Sequence, residues 1–508
     1  MKKYASRMAM RFFLINVLIL CFYNAYPQKN NTWLIGFDGW VNRVRITYDV
    51  NNYTLTPETR KMGFQETEAT ISDANGNFLM SSNGVWIADA TGDTMQNGSG
   101  LNPGAEVNAY PDGLLLNYAN IILPYPGDST KYVLFHHTCD WDGTAYPAYQ
   151  VFYTVIDMTK NGGLGGVDSL QKNVIAFQDT LNWGLAACRH ANGRDWWIIA
   201  QKHNTSTIYK ILFTPTGIAS VTSQNMNVPK AWYNTTQPTF SLDGNHFAYY
   251  TYVVDSDTTY IDNYALLFDF DRCSGMFSNS RAVLITTLTQ NHLWGLAFSP
   301  SGEKLYTCKS GYVYQINTNT ISVDTIATYD GFCYPNPPWC TTFWEMYLAA
   351  NGKIYITSGS GVQHIHEMNY PDSAGIACDL QQHAINLGVW SFRAVPNHPN
   401  YYLGCDTTQT TCPCLTTGIN EIKQHDFKFS IFPNPSNGNF KIIYLLPQNK
   451  SGTLQIFDIN GKQIYKQNLP AWSTMQYISL PKIASGVYQC MITSGNERVH
   501  KKMMVFKE

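Results

Sequence analysis

The chain has 508 residues, of which 44% are hydrophobic and 14% charged, with 37 glycines, 23 prolines and a 14% share of aromatic residues. This composition excludes a disordered chain, and the length exceeds what one ordinary compact core organises. The net charge of −2 excludes a globally basic nucleic-acid-binding protein. The charge is unevenly distributed: residues 1–27 carry four cations and no acids, residues 28–424 carry 20 cations and 32 acids, and residues 425–508 carry ten cations and four acids. An acidic body therefore lies between two basic ends.

Residues 1–27 have the pattern of a secretory signal peptide. Basic residues precede an apolar run of eleven residues, 12–22, whereas a membrane-spanning helix needs about 20. Cys21 raises the alternative of a lipoprotein, but Leu20 occupies the position where the lipoprotein peptidase requires a small residue. No later stretch is apolar enough to span a membrane. The sequence predicts Sec export of a protein without a transmembrane segment, into a compartment that permits disulfides.

Eleven cysteines remain after removal of the signal peptide. Cys333 and Cys340 flank a proline-rich loop, CYPNPPWC, which favours a local disulfide between them. Cys412 and Cys414 are expected to pair elsewhere rather than with each other. The odd total leaves at least one thiol free or intermolecular, and the spacings lack the two CxxC pairs of a zinc site.

One pattern recurs along residues 69–404: an apolar strand, a turn built on Asn-Gly, Asp-Gly or Ser-Gly, and an aromatic strand. Five copies are clear and two are degenerate, at residues 69–82, 121–136, 186–200, 238–251, 296–308, 346–358 and 393–404. The turns fall at positions 76, 127, 193, 244, 302, 352 and 399. Successive turns are 47–66 residues apart. Repeats with a spacing of this size are typical of radially stacked sheets.

Each copy is interpreted as a β-hairpin, because X-Gly supplies the positive φ angles of a tight turn. A unit of this size accommodates a four-stranded sheet that must bury its faces against neighbours. The sequence predicts a seven-bladed β-propeller over residues 28–405, with residues 33–37 supplying the fourth strand of the last blade. A pair of β-sandwiches with coincidental turns is the alternative.

The composition changes after Gly404. Residues 406–424 are threonine-rich and lack a hydrophobic period, which predicts a linker. Residues 425–508 form a basic module of short alternating strands with glycine turns, which predicts a small C-terminal β-sandwich. The fold class is therefore all-β.

The tail resembles the C-terminal sorting domain of cargo proteins of the type IX secretion system. The matching residues are Pro433, Asn434, Pro435, Gly438, Gly461, Gly486, Tyr488, Lys501 and Lys502. The resemblance implies recognition by an outer-membrane translocon after Sec export through the periplasm. It also implies removal of the tail by a sortase-like peptidase, with release or attachment to surface lipopolysaccharide. The expected location is secreted or on the outer-membrane surface.

The body resembles the propellers that often precede this tag, which are of the WD/YVTN-like kind. The shared features are Asp157-Met158 followed by residues 161–165, the run at residues 192–197, and residues 299–302. These are turn and packing motifs. This resemblance therefore implies a fold and a location without a chemistry.

No catalytic residue, metal site or cofactor is predicted. The glycine-rich run at residues 162–166 has no following helix to present its N-terminus to a phosphate. His364 and His366 share one strand face at a spacing that can bind a metal, but no third ligand is assignable, and a polar strand face is favoured. Residues 73–77 faintly resemble a calcium loop, yet they lack the distal glutamate and fall on a repeated turn.

Tryptophans precede the first strand of several repeats: Trp183, Trp294, Trp344 and Trp390. Equivalent positions in successive blades would ring one opening, where indoles stack on sugars or grip a protein, with Arg393 and Glu345 adding polar contacts. The alternative is that these indoles wedge between blades. The function predicted is a secreted or cell-surface binding or adhesion protein with a glycan or protein ligand. A hydrolase or lyase acting on an extracellular polymer and a structural envelope component are the alternatives.

Overall fold

The computed structural model describes residues 29–37, 42–49, 52–141, 143, 146–230, 237–254, 261–288, 292–335, 338–408, 411–415, 429–444, 446, 450–471, 473–495 and 497–507. The predicted signal peptide, residues 1–27, lies outside them. Seven antiparallel sheets follow one another along residues 32–391. We number them blades 1 to 7.

The first three blades contain eleven strands. Blade 1 has three strands: β1 Thr32–Ile35, β2 Asn42–Tyr48 and β3 Tyr53–Thr59. Blade 2 also has three: β4 Ala69–Ser72, β5 Phe78–Ser82 and β6 Ile87–Ala88. A short helix, α1 (Ala105–Ala109), follows it. Blade 3 has five: β7 Asn120–Pro124, β8 Lys131–His136, β9 Ala148–Asp157, β10 Gly166–Val167 and β11 Val174–Leu181.

The other four blades are regular four-stranded meanders. Blade 4 comprises β12 Ala186–Arg189, β13 Trp196–Gln201, β14 Thr207–Thr214 and β15 Gly217–Asn225. Blade 5 comprises β16 Thr239–Phe240, β17 His246–Val254, β18 Ile261–Asp271 and β19 Met276–Leu288. Blade 6 comprises β20 Leu296–Phe298, β21 Lys304–Lys309, β22 Tyr312–Asn317 and β23 Val323–Thr328. A hairpin, β24 Cys333–Pro335 and β25 Pro338–Cys340, precedes blade 7: β26 Phe343–Leu348, β27 Ile354–Ser358, β28 Val362–Met368 and β29 Leu380–Ser391. Three 3₁₀ turns lie at Asn161–Gly163, Ser169–Gln171 and Gly375–Cys378.

Hydrophobic clusters between neighbouring sheets close the ring. Each cluster takes side chains from adjacent blades: Leu34 with Phe78, Ile71 with Ile121 and Ile198, Trp197 with Phe247, Leu267 with Leu305, Tyr306 with Ile356, and Ile365 with Ile46. The last cluster joins blade 7 to blade 1. Every sheet is thus covered on both faces by its neighbours, which is the propeller arrangement.

Six of the seven predicted turns are tight hairpin turns between the first and second strands of a blade. Their glycines have positive φ: Gly76, Gly127, Gly193, Gly244, Gly302 and Gly352. Glycine has no Cβ and adopts this conformation without steric cost. At Gly193 and Gly244 a Cβ would also collide with neighbouring atoms, at 2.8 Å from Cys405 N and 2.6 Å from Leu403 Cδ2. The predicted turn at position 399 differs.

Residues 393–404 contain no regular strand and run along the axis of the ring. Ala394 N donates to Gln65 O (3.1 Å) and Asn397 N to Glu68 O (3.2 Å). Residues 393–404, which we call the closing segment, therefore run parallel to the residues that lead into β4. The Asn397 Nδ2 donates to Asn120 O (3.0 Å) and Leu185 O (2.7 Å), on blades 3 and 4. The two prolines in the segment have no backbone N–H to donate. This explains why the segment forms isolated hydrogen bonds rather than a regular strand.

The ring closure differs in detail from the sequence prediction. Residues 33–37 do not add a fourth strand to the last blade: blade 7 has four strands of its own, and the N-terminal strands β1 to β3 form a separate sheet, blade 1. Strand β1 runs antiparallel to β4, because Ser72 N bonds Lys29 O (2.9 Å) and Phe64 N bonds Gly36 O (3.0 Å). The closing segment, residues 393–404, lies on the axial side of blade 1. Both ends of the propeller chain therefore meet in blade 1.

Three disulfides are present: Cys333–Cys340, Cys273–Cys412 and Cys405–Cys414. The last two attach the start of the predicted linker to the propeller, and Leu415 N adds a bond to Asn192 O (3.1 Å). Free thiols among the described cysteines are all buried: Cys139, Cys188, Cys308, Cys378 and Cys490. Burial raises the pKa of each, for example of Cys188 to about 12, so these thiols are unreactive.

The C-terminal module is a two-sheet sandwich. One sheet contains β30 Phe429–Phe432, β31 Asn439–Tyr444 and β34 Met475–Ser479, and the other contains β32 Gly452–Phe457, β33 Gln463–Leu469, β35 Gly486–Ser494 and β36 Glu497–Val505. Both contribute to one core, which includes Ile442, Leu454 and Ile492. In the part of the chain that the structure describes, no helix has the length and apolar character needed to cross a bilayer.

Candidate functional site

The two faces of the propeller differ in the loops that they carry. In blades 2 to 7 the innermost strands all begin at one face, which we call the upper face, and end in the X-Gly turns at the opposite, lower face. Because strands alternate in direction, the loops joining one blade to the next and those joining second to third strands also lie at the upper face. The hairpin β24–β25 and the residues before β12, β20 and β26 are therefore on the upper face.

Aromatic side chains form a band on this face, with Arg393 between two of them, which we call the aromatic arc. It begins with Tyr252 stacked on His292 at 4.0 Å between ring centroids, and His292 meets Trp294 at 6.3 Å. Trp294 stacks on Trp344 at 3.6 Å with an interplanar angle of 18°. The Arg393 guanidinium lies over the Trp344 ring, 4.2 Å from its centroid. This half of the arc spans the starts of blades 6 and 7.

The second half of the arc surrounds the disulfide hairpin. Arg393 also lies 4.6 Å from the Phe392 ring, which stacks on Phe37 at 5.2 Å. Phe37 N bonds Trp390 O (3.2 Å). The Trp390 ring contacts Tyr334 and Trp339, each at 5.4 Å. Trp339 is 39% exposed, and Trp294, Trp390 and Phe392 are half-buried, so part of each of these side chains is accessible to solvent.

A buried polar cluster lies beneath the centre of the arc. Arg393 Nη1 pairs with Glu66 Oε1, and Asn117 Nδ2 donates to Glu345 Oε1. Glu345 is fully buried and its Oε2 has no partner among the described residues. Burial, reinforced by the nearby Glu66 carboxylate, raises the pKa of Glu345 well above its usual value, and burial also raises the pKa of Glu66 against the opposing charge of Arg393. Both shifts favour the neutral, protonated form of these carboxyl groups.

The axis of the ring is filled by protein. Gln237 Oε1 accepts from Leu296 N (2.9 Å) and Met346 N (3.3 Å), and its Nε2 donates to Tyr118 OH (2.5 Å). Together with the closing segment, these side chains leave a cavity of about 90 Å³ between the inner strands. That volume suits a few water molecules.

The six residues predicted to bind a ligand fall into three groups. Trp294, Trp344, Trp390 and Arg393 belong to the arc, although Trp344 is buried. Glu345 lies below it, out of contact with solvent. Trp183 stands apart on the same face, where its Nε1 donates to Tyr146 O (2.8 Å). The binding role of these residues stays a prediction.

Sequence reasoning missed six arc members: Tyr252, His292, Phe392, Phe37, Tyr334 and Trp339. The last two lie inside the CYPNPPWC loop, where the strands pair Cys333 with Cys340 and Tyr334 with Trp339. The loop was recognised for its cysteines, and its two aromatic residues were the available signal. Phe37 carries no local signal, because its contact with Phe392 arises only through ring closure.

The histidines of β28 have structural partners. His364 Nδ1 bonds Tyr334 OH, and His366 Nδ1 accepts from His383 N (3.0 Å). Burial lowers the pKa of His366 to about 3. Within the described ranges, no group of three or more His, Cys, Asp or Glu side chains could hold a metal ion.

The predicted sorting residues lie at turns and on one edge of the sandwich. Asn434 binds β36 at both ends of its amide: Nδ2 donates to Lys502 O (2.8 Å) and Oδ1 accepts from Met504 N (2.7 Å). Gly438 has a φ of 101°, and a Cβ there would lie 2.8 Å from Leu480 O. Tyr488 OH donates to Ala484 O (2.8 Å). The remaining residues are Pro433 and Pro435 after β30, Gly461 in the β32–β33 turn, Gly486 at the start of β35, and the exposed Lys501 and Lys502 on β36.

This module matches a known family. Residues 430–506 match the family described as secretion system C-terminal sorting domain. The tail is a sorting domain of the type IX secretion system. The sorting domain directs the protein to the cell surface or the extracellular space, and the secretion machinery is consequently one of its partners.

No curated protein matches the chain. Solved structures with similar folds include a putative 6-phosphogluconolactonase from Bacteroides fragilis, 12% identical with a TM-score of 0.40, covering 72% of this chain and 96% of that one. The extracellular domain of a putative hybrid two-component system from B. thetaiotaomicron is 9% identical with a TM-score of 0.37, covering 94% and 56%. A periplasmic gluconolactonase from Pseudomonas aeruginosa is 8% identical with a TM-score of 0.33, covering 89% and 99%. The propeller assignment rests on the sheets and shared cores described above.

Proposed function

We propose that the exported propeller is a glycan-binding protein and that the aromatic arc is its binding surface. The observation that carries this proposal is the band of aromatic rings from Tyr252 to Trp339, joined by ring contacts, by Arg393 and by a backbone bond, with indoles that are partly exposed. Sugar rings have apolar C–H faces that pack on flat aromatic rings, and hydroxyl edges that need polar partners. Arg393, with part of its side chain exposed between Trp344 and Phe392, supplies donors within the arc.

The arc suits a sugar better than a protein partner. Protein interfaces are broad patches with an apolar centre, whereas the arc is a narrow band interrupted by His292 and Arg393. Its stacked pairs and the Cys333–Cys340 disulfide hold the rings in place before a ligand arrives. Such preorganisation reduces the entropic cost of binding.

The test is binding of the full chain to an array of glycans, compared between the wild type and Trp339→Ala. Because the Trp339 side chain is partly exposed at a hairpin tip, we expect its loss to weaken binding about tenfold, which corresponds to about 1.4 kcal/mol, with little change in the thermal midpoint. Trp390→Ala should act in the same direction.

The matched control is Ile376→Ala. Ile376 is 84% exposed on the lower face of blade 7, so it removes a similar exposed apolar group away from the arc. Binding should be unchanged in this variant. Absence of glycan binding by the wild type, or unchanged binding in both tryptophan variants, would show that the proposal is wrong.

One observation favours a second candidate, an enzyme acting on an extracellular polymer. Glu66 and Glu345 both have raised pKa values and lie directly beneath the arc. A raised pKa is the property required of the general acid in glycoside hydrolysis. Incubation with the bound polymer distinguishes the two: the enzyme releases new reducing ends and loses this activity in Glu345→Gln, whereas a binding protein releases none.

A further inference from the structure

A second exposed aromatic platform lies on the upper face, away from the arc. Trp141 and Tyr146 contact each other at 4.8 Å between ring centroids and are 57% and 44% exposed. Trp183 supports this platform through the hydrogen bond from its Nε1 to Tyr146 O, at 2.8 Å. Large aromatic side chains exposed in a pair are unusual unless they meet a partner.

The platform and the arc share one face. Trp141 and Tyr146 lie in the loop from β8 to β9, which joins the second and third strands of blade 3. Trp339 lies between β23 and β26, where blade 6 leads into blade 7. Both kinds of loop are at the upper face, and three steps around the ring separate them. Since packed sheets lie about 10 Å apart, the separation is on the order of 30 Å or less.

Charge restricts what can bridge the two surfaces. Residues 28–424 have 20 cations and 32 acids, and Asp140 and Glu106 lie beside the platform, close enough to interact electrostatically. Such a surface repels a polyanion. A nucleic acid or an anionic polysaccharide is therefore disfavoured, whereas an uncharged polymer is not.

We infer that an uncharged polysaccharide chain crosses the upper face and occupies both the aromatic arc and the Trp141–Tyr146 platform. The inference rests on the proposed glycan-binding function and adds the class of ligand to it. Once the arc or the platform holds the polysaccharide, binding at the second surface becomes an intramolecular step. Linked contacts of this kind raise avidity by about 10²–10⁴ without any new type of interaction. A short oligosaccharide fills only one platform and gains nothing from the second.

The experiment measures binding of the full-length chain to laminarin, mannan, starch and arabinoxylan by affinity electrophoresis, and to short oligosaccharides from each by titration. The double variant Trp141→Ala/Tyr146→Ala should bind the preferred polymer at least about a hundredfold more weakly. Its affinity for an oligosaccharide that fills the arc should equal that of the wild type. Leu170→Ala is the matched control, because Leu170 is 88% exposed on the opposite side of blade 3.

The outcomes separate this inference from the proposed function. Unchanged polymer binding by the double variant, with binding still lost in Trp339→Ala, overturns the two-platform inference alone. Equal weakening for polymer and short oligosaccharide also overturns it, since the platform would then belong to a single site. Binding only to an anionic polymer such as alginate overturns the assignment of an uncharged ligand. Absence of binding to any glycan overturns the proposed function, and this inference with it.

Discussion

The propeller and the sorting domain are both antiparallel β-structures, but they reach a closed core in different ways. In the propeller each cluster takes side chains from neighbouring blades, so no blade completes its own core. The closing segment, residues 393–404, then reaches blades 2, 3 and 4. The sorting domain instead has one internal core, which includes Ile442 and Ile492. The difference indicates that the tail can be removed as a unit, whereas the ring cannot lose a part.

The largest expected effect comes from deleting residues 425–508. We expect export to be abolished, because the sorting domain is removed, and the propeller to keep its fold, because its cores contain no residue of the tail. Cell fractionation would then find a folded propeller in the periplasm. Its thermal midpoint should equal that of the propeller transition in the full chain. Ile442→Ala, which truncates a buried core residue at a cost of about 2–5 kcal/mol, should reduce export by unfolding the tail alone. Secretion of the protein that lacks residues 425–508 would contradict the role of the tail as a separable export signal.

A smaller effect is expected from Asn397→Ala. Its amide donates to two main-chain carbonyls on blades 3 and 4, and each buried group left unpaired costs about 1–3 kcal/mol. Calorimetry should show a lower unfolding temperature for the whole propeller and an unchanged unfolding temperature for the sorting domain.

The matched control is Asn434→Ala, which also removes two amide–backbone bonds but at an exposed position. Water replaces those partners, so only the sorting-domain transition should fall, and by less. If Asn397→Ala lowered neither transition, the closing segment would not be what holds the ring together.

The smallest effect concerns pH. The pKa of Glu345 is raised in the folded state above the usual value of 4.5, so the folded protein binds more protons than the unfolded chain above that pH. Stability from this group is complete below about pH 4.5 and falls as the pH rises through the folded-state value. Glu345→Gln keeps the acceptor for Asn117 and removes the titration. Chemical denaturation should therefore show the variant equal to the wild type near pH 4 and more stable at pH 8, with no change in the sorting domain. A constant difference across this range would contradict the assignment.

Much of the architecture could be predicted because its signal is local. The turn glycines at 76, 127, 193, 244, 302 and 352 are required by positive φ angles, and they mark six blades directly. The sorting domain was recognised from its ordered prolines, glycines and lysines. Blade 1 was harder, since its side chains pack against a segment more than 300 positions away. The turn predicted at 399 failed for the same reason: residues 393–404 lie along the axis and have no hairpin partner.

The candidate site was predictable only in part. Trp294, just before β20, and Trp344, at the start of β26, were found because they repeat in register with the turns. The depth at which each lies could not be found, since burial of Trp344 and Glu345 depends on packing by Arg393 and Glu66. Trp141 and Tyr146 follow no repeat, and their prominence appears only as exposure in the folded chain.

The two disulfides at the end of the propeller also fix the side of the ring on which residues 405–408 and 411–415 lie. Cys412 is bonded to Cys273, and Cys414 to Cys405, beside the lower-face turn that contains Asn192 and Gly193. A peptidase that removes the sorting domain beyond Leu415 leaves these bonds intact. A chain attached to a cell envelope through its new C-terminus would stand with the lower face toward the envelope, and its aromatic face would point outward, into the surrounding medium.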